Sequence, residues 1–311
     1  MVMGDTIERS GADAAIVKIH QKDKAIALTV DSSANYCKSH PLSGGKQIVC
    51  ESWRNLVSVG AKPIAITNCL NFGNPENPDV MGQFAENILG IKEACEFLDY
   101  PVVSGNVSFY NGTNNNNIYP TPVIGGVGLI KDLNKIKNHK FKKIDSHILI
   151  IGKTFGHLDQ SAFINELYNI HDGMPPEINL LNEKNNGEMI LKLIANENIN
   201  SVHDISSGGI IIALAEMSIS SQVGVKIQKP QKISSIFEYF FGEDQGRYLI
   251  EVEKNNLSEV EKKLRENNIY FENIGTTQKE YFELEKDLKI NVKELYDLNN
   301  KWYNKFNGLN S

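Results

Sequence analysis

Residues 62–75 read KPIAITNCLNFGNP and residues 101–111 read PVVSGNVSFYN, and these two stretches decide the fold of the first half of the chain. In each, a short apolar run precedes small and amide residues. The apolar runs at 63–67 and 101–104 predict buried strands, and the polar residues after them predict turns. Such turns are where α/β sheets commonly build their ligand crevices.

Other elements can be read outward from these two strands. The β-rich runs at 14–19 and 25–30 are separated by a polar segment that includes residues 21–24, which predicts a hairpin. Apolar residues recur at helical spacing over 45–59 and 78–98, with Met81, Phe84, Ile88, Ile91 and Leu98 on one stripe of the second helix. The glycine-broken apolar run at 121–130 predicts a further strand. Alternating helices and strands indicate an α/β domain.

A domain boundary is expected within residues 131–145, which are polar, lysine-rich and without a helical or strand period. We therefore predict an N-terminal α/β domain at 1–135 and a C-terminal α+β domain at 136–311. The basic run contains a single aromatic residue, Phe141, and the net charge is negative, so a solvated linker is favoured over a nucleic-acid patch. The second domain is expected to contain helices near 159–167, 187–196, after Gly209 and at 257–267, with strands at 224–228 and 247–252.

Composition excludes several classes of protein. The chain has 311 residues and a net charge of -6, so no general attraction to nucleic acid or anionic membrane is expected. Four cysteines without CxxC spacing indicate reduced thiols rather than a disulfide framework. No stretch is long and apolar enough for a membrane span, and no signal peptide is evident, so we expect a cytoplasmic protein.

Three glycine-bearing turns are candidates for anion binding. Residues 43–46 (SGGK) could hold a phosphate or simply begin a helix. In the turn expected after residue 103, Gly105 permits close ligand approach, Asn106 offers an oxygen acceptable to magnesium and Ser108 offers a hydroxyl; the alternative is a plain polar turn. The third turn, 203–209 (HDISSGG), suggests hydrolase parts, but a structural helix start is favoured because GxSxG is absent.

Two further segments have open interpretations. Asn68 could hydrogen-bond a nucleotide, whereas the other amides of 67–75 could only shape a turn. The charged turn at 241–248 (FGEDQGRY) could contact a partner or be a solvated hairpin. No cysteine has a nucleophile signature and the histidines lack HExxH spacing, which argues against a protease, a glutaminase or a zinc enzyme.

Taken in order, these segments together with TPVIGGVG, GHLDQS, VHDISSGGI and FGEDQGRYLIEV resemble the C-terminal half of the phosphoribosylformylglycinamidine synthase family. The similarity covers nearly the whole chain. It implies the two-domain fold of aminoimidazole ribonucleotide synthetase-like proteins, whose first domains pair into a shared β-barrel-like dimer. The isolated half is therefore expected to self-associate through its first 130 residues.

The resemblance also implies a reaction and its residues. The family converts formylglycinamide ribonucleotide, ATP and glutamine-derived ammonia into formylglycinamidine ribonucleotide, ADP and phosphate. It implies that position 68 and the Gly105 backbone bind ATP, that Asn106 binds Mg2+ and that Ser108 binds the substrate. The family usually has aspartate at position 68; Asn68 keeps an acceptor oxygen but loses the charge.

Features of the family's N-terminal half have no equivalent here: its catalytic histidines, the lysine beside ATP and most acidic magnesium ligands. We therefore expect half of a composite site, inactive alone, whose partners are the N-terminal half of the same synthetase and a glutaminase subunit or domain. Two alternatives stay open. One is a complete homodimeric enzyme, such as aminoimidazole ribonucleotide synthetase or a small-molecule kinase; the other is a non-catalytic scaffold half.

Overall fold

The structure, a computed structural model, describes residues 4–8, 11–114, 116–230 and 235–308. Strands and helices alternate along it. The strands are β1 (Thr6–Glu8), β2 (Ala15–Lys18), β3 (Ala25–Asp31), β4 (Lys62–Asn71), β5 (Val102–Ser108), β6 (Gly112–Thr113), β7 (Asn116–Asn117), β8 (Thr121–Ile130), β9 (His147–Ile151), β10 (Ser201–Asp204), β11 (Gly224–Ile227), β12 (Tyr248–Val252), β13 (Phe271–Gln278), β14 (Tyr281–Leu284) and β15 (Leu288–Asn291). The helices are α1 (Ala34–Ser39), α2 (Pro41–Ser58), α3 (Pro78–Leu98), α4 (Ala162–Tyr168), α5 (Leu180–Ala195), α6 (Gly209–Ser221), α7 (Ile236–Phe241), α8 (Leu257–Glu266) and α9 (Val292–Phe306).

The first sheet has six strands in the order β1-β2-β3-β8-β4-β5. The β2–β3 hairpin predicted from the sequence is confirmed, and its register pairs Ile16 with Ala27. Only β4 and β5 run parallel within this sheet, since β4 pairs antiparallel with β8 on its other side. The sheet is open, with β1 and β5 at its edges, and the described residues form no closed barrel.

Helix α2 begins at Pro41, four residues before the predicted start. The His40 Nδ1 atom accepts a hydrogen bond from the Ser43 backbone, at 3.2 Å. Gly44 and Gly45 lie inside the helix and are buried. A side chain at Gly44 would overlap the backbone of α1, and one at Gly45 would overlap the backbone of α3, so both positions require glycine. The phosphate interpretation of residues 43–46 is therefore wrong: these glycines serve helix packing.

Helix α3 has the predicted bounds, but its predicted buried stripe is only half correct. Ile91 and Leu98 are buried as expected, whereas Met81 and Ile88 remain more than one-third exposed. The buried face includes Gly90 instead, where a side chain would overlap the Leu42 carbonyl oxygen. Close contact between two helices requires a small residue at the contact point. The spacing of apolar residues does not show where such a contact will occur.

The two decisive strands are longer than predicted. The expected strands ended at Thr67 and Ser104, but β4 continues to Asn71 and β5 to Ser108. Residues 68–71 and 105–108 therefore lie in strands, and their interpretation as turns is wrong. The reason is pairing: the polar segment of β4 is hydrogen-bonded to β8 on one side and β5 on the other, which compensates for its low strand propensity. Asn74 does shape a turn, as expected, because its side chain accepts a hydrogen bond from the Glu76 backbone.

The second sheet has seven strands in the order β10-β12-β9-β13-β11-β14-β15, mostly antiparallel. The expected strands at 224–228 and 247–252 are confirmed as β11 and β12, and the helix at 257–267 as α8. Helix α5 begins seven residues before its predicted start. The predicted boundary at 135/136 falls between the last strand of the first sheet and the first strand of the second, and it stays a prediction.

One apolar core joins both domains. It contains Trp53 and Leu56 from α2 together with Ile190 and Leu193 from α5. Trp53 lies directly against Gly187, where a Cβ atom would overlap the indole ring. No helix of the described chain combines the length and apolarity that crossing a bilayer requires.

Candidate functional site

The parallel pairing of β4 and β5 brings all four predicted site residues together. Its register places Asn68 beside Gly105 and Asn71 beside Ser108, and Asn106 lies between Gly105 and Ser108 along β5. Both segments are the carboxyl ends of neighbouring parallel strands, where ligands are bound in open α/β sheets. Strand β5 is the sheet edge, so half of its peptide groups have no strand partner.

Asn68 and Gly105 share the face of the sheet that is covered by α3. A Cβ atom at Gly105 would overlap Asn68 Oδ1, so the asparagine side chain lies directly over the glycine. Asn68 also lines a groove of about 390 Å³ between α3 and the two strands. The groove walls are partly apolar and include Ile88, Ile91 and Val102. Such a slot beside one amide suits a flat heterocycle.

Asn106 and Ser108 point to the opposite, open face, because side chains alternate along a strand. The Ser108 hydroxyl donates to Asn111 Oδ1 at 3.2 Å. Asn111 is itself fixed, since its amide group donates to the carbonyl oxygens of Phe72 and Ser108, each at 3.0 Å. No side-chain hydrogen bond holds Asn106 within the described residues, which leaves its oxygen available. The structure therefore divides the predicted set into two pairs, one on each face of an edge strand.

Asn106 alone fits only part of a magnesium shell. Mg2+ is usually bound by one or two carboxylates together with phosphates and waters, whereas Asn106 offers one neutral amide oxygen. The other three positions in the set, Asn68, Gly105 and Ser108, carry no charge. The donor set thus fits a magnesium ion only in part, since it offers one neutral oxygen and no carboxylate.

The FGEDQGR turn is buried, so its interpretation as a solvated hairpin is wrong. The Asp244 carboxylate accepts hydrogen bonds from the backbone of Phe155 and Gly156, both at 2.8 Å. Glu243 Oε1 accepts from the backbone of Ala162 and Gly208, both at 2.7 Å. These carboxylates join loops and helix starts within the domain. Polar residues in a local sequence do not reveal whether such distant backbone groups will approach them.

The HDISSGG turn is also structural. His203 Nδ1 lies 2.7 Å from Asp13 and His203 Nε2 lies 3.0 Å from Glu216, so both ring nitrogens have carboxylate neighbours. Burial lowers the pKa of His203, but these carboxylates outweigh it and raise the pKa well above its usual value. Asp13, His203 and Asp204 each offer a donor atom within 4.8 Å of the others and could hold a metal ion. No serine hydroxyl bonds to His203 in the described chain, so the hydrolase alternative lacks support.

A fully buried arginine connects the two domains, and sequence analysis missed it. Arg54 of α2 donates to Glu183 of α5 at 2.7 Å and to Gln245 at 2.9 Å. Burial raises the pKa of Glu183, and the guanidinium offsets only part of that effect. Burial likewise raises the pKa of Glu51, which is near Arg54, to about 7. In the sequence, Arg54 falls on the apolar side of a predicted helix, and this is the only indication that its side chain is buried.

Two family models match the chain. The N-terminal domain of AIR synthase related protein matches residues 11–130, and the C-terminal domain of AIR synthase related protein matches residues 148–285. The chain belongs to the AIR synthase related protein family. The resemblance noted in the sequence is confirmed at this level, as is the two-domain fold it implied.

Relatives place this AIR synthase related chain more narrowly. It is 54% identical over 301 residues to the phosphoribosylformylglycinamidine synthase subunit PurL of Pelagibacter ubique, covering 97% of the chain and 41% of that relative. It is 41% identical over 310 residues to the same subunit of Azorhizobium caulinodans. The chain thus spans less than half the length of these relatives, and it resembles a part of PurL.

A solved structure agrees on the fold. PurL of Thermotoga maritima, complexed with FGAR, superposes with a TM-score of 0.73 at 15% identity, covering 94% of this chain and 47% of that one. At this identity the likeness establishes the architecture only. The open six-stranded sheet and the seven-stranded sheet are therefore those of the AIR synthase related fold.

Proposed function

We propose that this chain is the C-terminal portion of a phosphoribosylformylglycinamidine synthase and supplies half of its composite active site. The observation that carries the proposal is the β4–β5 register, which puts Asn68 with Gly105 on one face of an edge strand and Asn106 with Ser108 on the other. The name of the Pelagibacter ubique relative supports the same assignment. The proposed domains are 1–135, which holds the half-site, and 136–311.

ATP is proposed to bind across the edge of β5. Its base would occupy the groove beside α3, where the Asn68 amide can both donate and accept. The backbone of Gly105 allows the nucleotide to lie against the strand edge, and the phosphates would extend to the face that holds Asn106. Because Asn68 is neutral, its role is hydrogen bonding rather than charge.

Asn106 would hold Mg2+ with the phosphates, and the ion would neutralise charge that develops on the transferred phosphoryl group. Ser108 would orient formylglycinamide ribonucleotide on the same face. In the proposed reaction the substrate's amide oxygen attacks the γ-phosphorus and ADP leaves. Ammonia then adds to the activated carbon, and phosphate departs with the oxygen.

The N-terminal half of the same synthetase is the proposed partner of the open sheet face. Apolar side chains on that face remain exposed, including Val30 at 78%, Ile64 at 46% and Leu28 at 41%. Exposed apolar patches of this kind mark interaction surfaces. A homologous sheet covering the face would form the β-barrel-like pair, and in its absence a second copy of this chain would do so. A glutaminase subunit or domain would supply ammonia, and the assembly would be cytoplasmic.

Activity measurements test this assignment. The 311-residue chain alone, given formylglycinamide ribonucleotide, ATP, Mg2+ and ammonia, should form no amidine product, whereas the complete synthetase should. In the complete synthetase, Ser108→Ala should raise KM for formylglycinamide ribonucleotide, while Asn106→Ala should lower kcat about 100-fold or more, because phosphoryl transfer depends on a correctly held metal. Unchanged kinetics in both variants would refute the site.

Calorimetry with Mg-ATP tests the two alternative functions, a complete homodimeric enzyme and a non-catalytic scaffold half. Tight binding with turnover by the isolated chain would support a complete homodimeric enzyme. Absence of ATP binding, both alone and with the N-terminal half, would support a scaffold. The neutral residue set on β4 and β5 favours the half-site over the complete enzyme, which would carry its own acidic metal ligands.

A further inference from the structure

Asn71 lies on the same open face as Asn106 and Ser108, although the motif around it can be read as merely turn-forming. It is the last residue of β4 and pairs with Ser108 at the end of β5. Neighbouring strands are about 4.8 Å apart, so one small ligand group can touch both side chains. Asn68, by contrast, points to the face covered by α3.

The orientation of the Asn71 amide is fixed by two carbonyl groups. Its Nδ2 donates to the backbone oxygens of Thr121 and Cys69, each at 3.2 Å. Turning the amide over would set its oxygen against both carbonyls, so the observed orientation is the stable one. The remaining atom, Oδ1, has only a weak contact with the Cys69 thiol at 3.9 Å. The half-buried Asn71 therefore presents a preset acceptor on the residue that pairs with Ser108.

We propose that Asn71 Oδ1 accepts a hydrogen bond from an N–H or O–H group of the formylglycinamide ribonucleotide held by Ser108. This inference rests on the proposed function and adds a substrate-binding residue to it. The donor belongs to the ribonucleotide rather than to the base of ATP, because Asn71 and the Asn68 groove are on opposite faces of the sheet. Asn111 fixes Ser108 in the same way as the two carbonyl groups fix Asn71, which gives two rigid contacts for one ligand.

A matched pair of substitutions in the complete synthetase tests the role of this oxygen. Asn71→Leu removes both the donors to Thr121 and Cys69 and the acceptor, whereas the hydroxyl of Asn71→Thr can donate to one of these carbonyls and still accept a hydrogen bond. Binding of formylglycinamide ribonucleotide should weaken about tenfold in Asn71→Leu and no more than about threefold in Asn71→Thr. Binding of Mg-ATP, measured on the same samples, should not change in either variant.

Equal weakening in the two variants, or lost ATP binding in both, would mean that Asn71 acts only through its structural donors and would overturn the inference. Ser108→Ala distinguishes this failure from that of the proposed function. If Ser108→Ala weakens ribonucleotide binding and Asn71→Leu does not, only the inference is wrong. If neither variant weakens it, the substrate site on this face is wrong as well. Thermal unfolding of each variant identifies any loss of folded protein.

Discussion

At the scale of single residues, the contact between Asn68 and Gly105 links packing to the proposed nucleotide binding. The asparagine side chain crosses the glycine, so its amide position depends on the missing Cβ atom at position 105. The colliding atom is the end of a side chain rather than backbone. A substitution at Gly105 should therefore move the Asn68 amide more than it unfolds the sheet.

Gly105→Ala in the complete synthetase should weaken Mg-ATP binding about tenfold, because the displaced amide would lose the proposed hydrogen bond to the base. Asn68→Ala should have a similar effect. The double variant should be little worse than either single variant, since both changes remove one interaction. Calorimetric titration with Mg-ATP measures all three. Additive losses would contradict the shared mechanism.

At the scale of elements, the α2–α3 pair is held close by glycines on both helices. Cβ atoms at Gly45 and Gly90 would overlap the carbonyl oxygens of Asn87 and Leu42, respectively. Backbone cannot move aside as a side chain can, so these positions set the distance between the helices. That distance also positions α3 beside β4 and β5, and with it the groove that contains Asn68.

Gly90→Ala should reduce the free energy of unfolding by about 1–3 kcal/mol, the usual range for an overpacked contact. Gly82→Ala is the matched control on the same helix, because nothing lies within 4 Å of a Cβ atom there. It should stabilise the protein by about 1 kcal/mol through helix propensity alone. Urea unfolding of the 311-residue chain measures both; a destabilising Gly82→Ala would contradict this account.

At the scale of the whole molecule, the two domains are linked by the Arg54 cluster (Arg54, Glu183 and Gln245) and by the shared apolar core. Arg54 is fully buried, and its partners Glu183 and Gln245 belong to the second domain. A buried ion pair contributes little net stability, but removal of one partner leaves an uncompensated charge. The cluster thus specifies how the domains meet.

Arg54→Met should lower the free energy of unfolding by about 3–5 kcal/mol by leaving Glu183 unpaired. Adding Glu183→Gln should recover part of this loss, because the buried charge disappears. Arg265→Met, which breaks the exposed pair of Arg265 with Glu261, should cost no more than about 1 kcal/mol. Urea unfolding followed by fluorescence measures each. Failure of the double variant to recover stability would show that Arg54 acts through packing alone.

Apolar periodicity and local composition were enough to predict long regular elements of the first domain. Helix α3 and strand β8 have the bounds that their apolar spacing predicts. Polar segments were less predictable. The ends of β4 and β5 were expected as turns because asparagine and glycine favour turns, and only pairing with neighbouring strands keeps them extended. The burial of FGEDQGR was equally unpredictable from local sequence, because its carboxylates accept hydrogen bonds from backbone groups that are distant in the chain.

By itself the sequence determined most of the long helices and strands up to residue 267, the candidate residues Asn68, Gly105, Asn106 and Ser108, and the family resemblance. These depend on local spacing and residue type. In contrast, β13, β14, β15 and α9 were not predicted. Tertiary structure alone decided which candidates share a face, that Asn71 stands beside Ser108, and that Arg54 joins the domains. Those facts depend on strand register and on contacts between residues distant in the chain, and a one-residue shift in register would move each side chain to the opposite face.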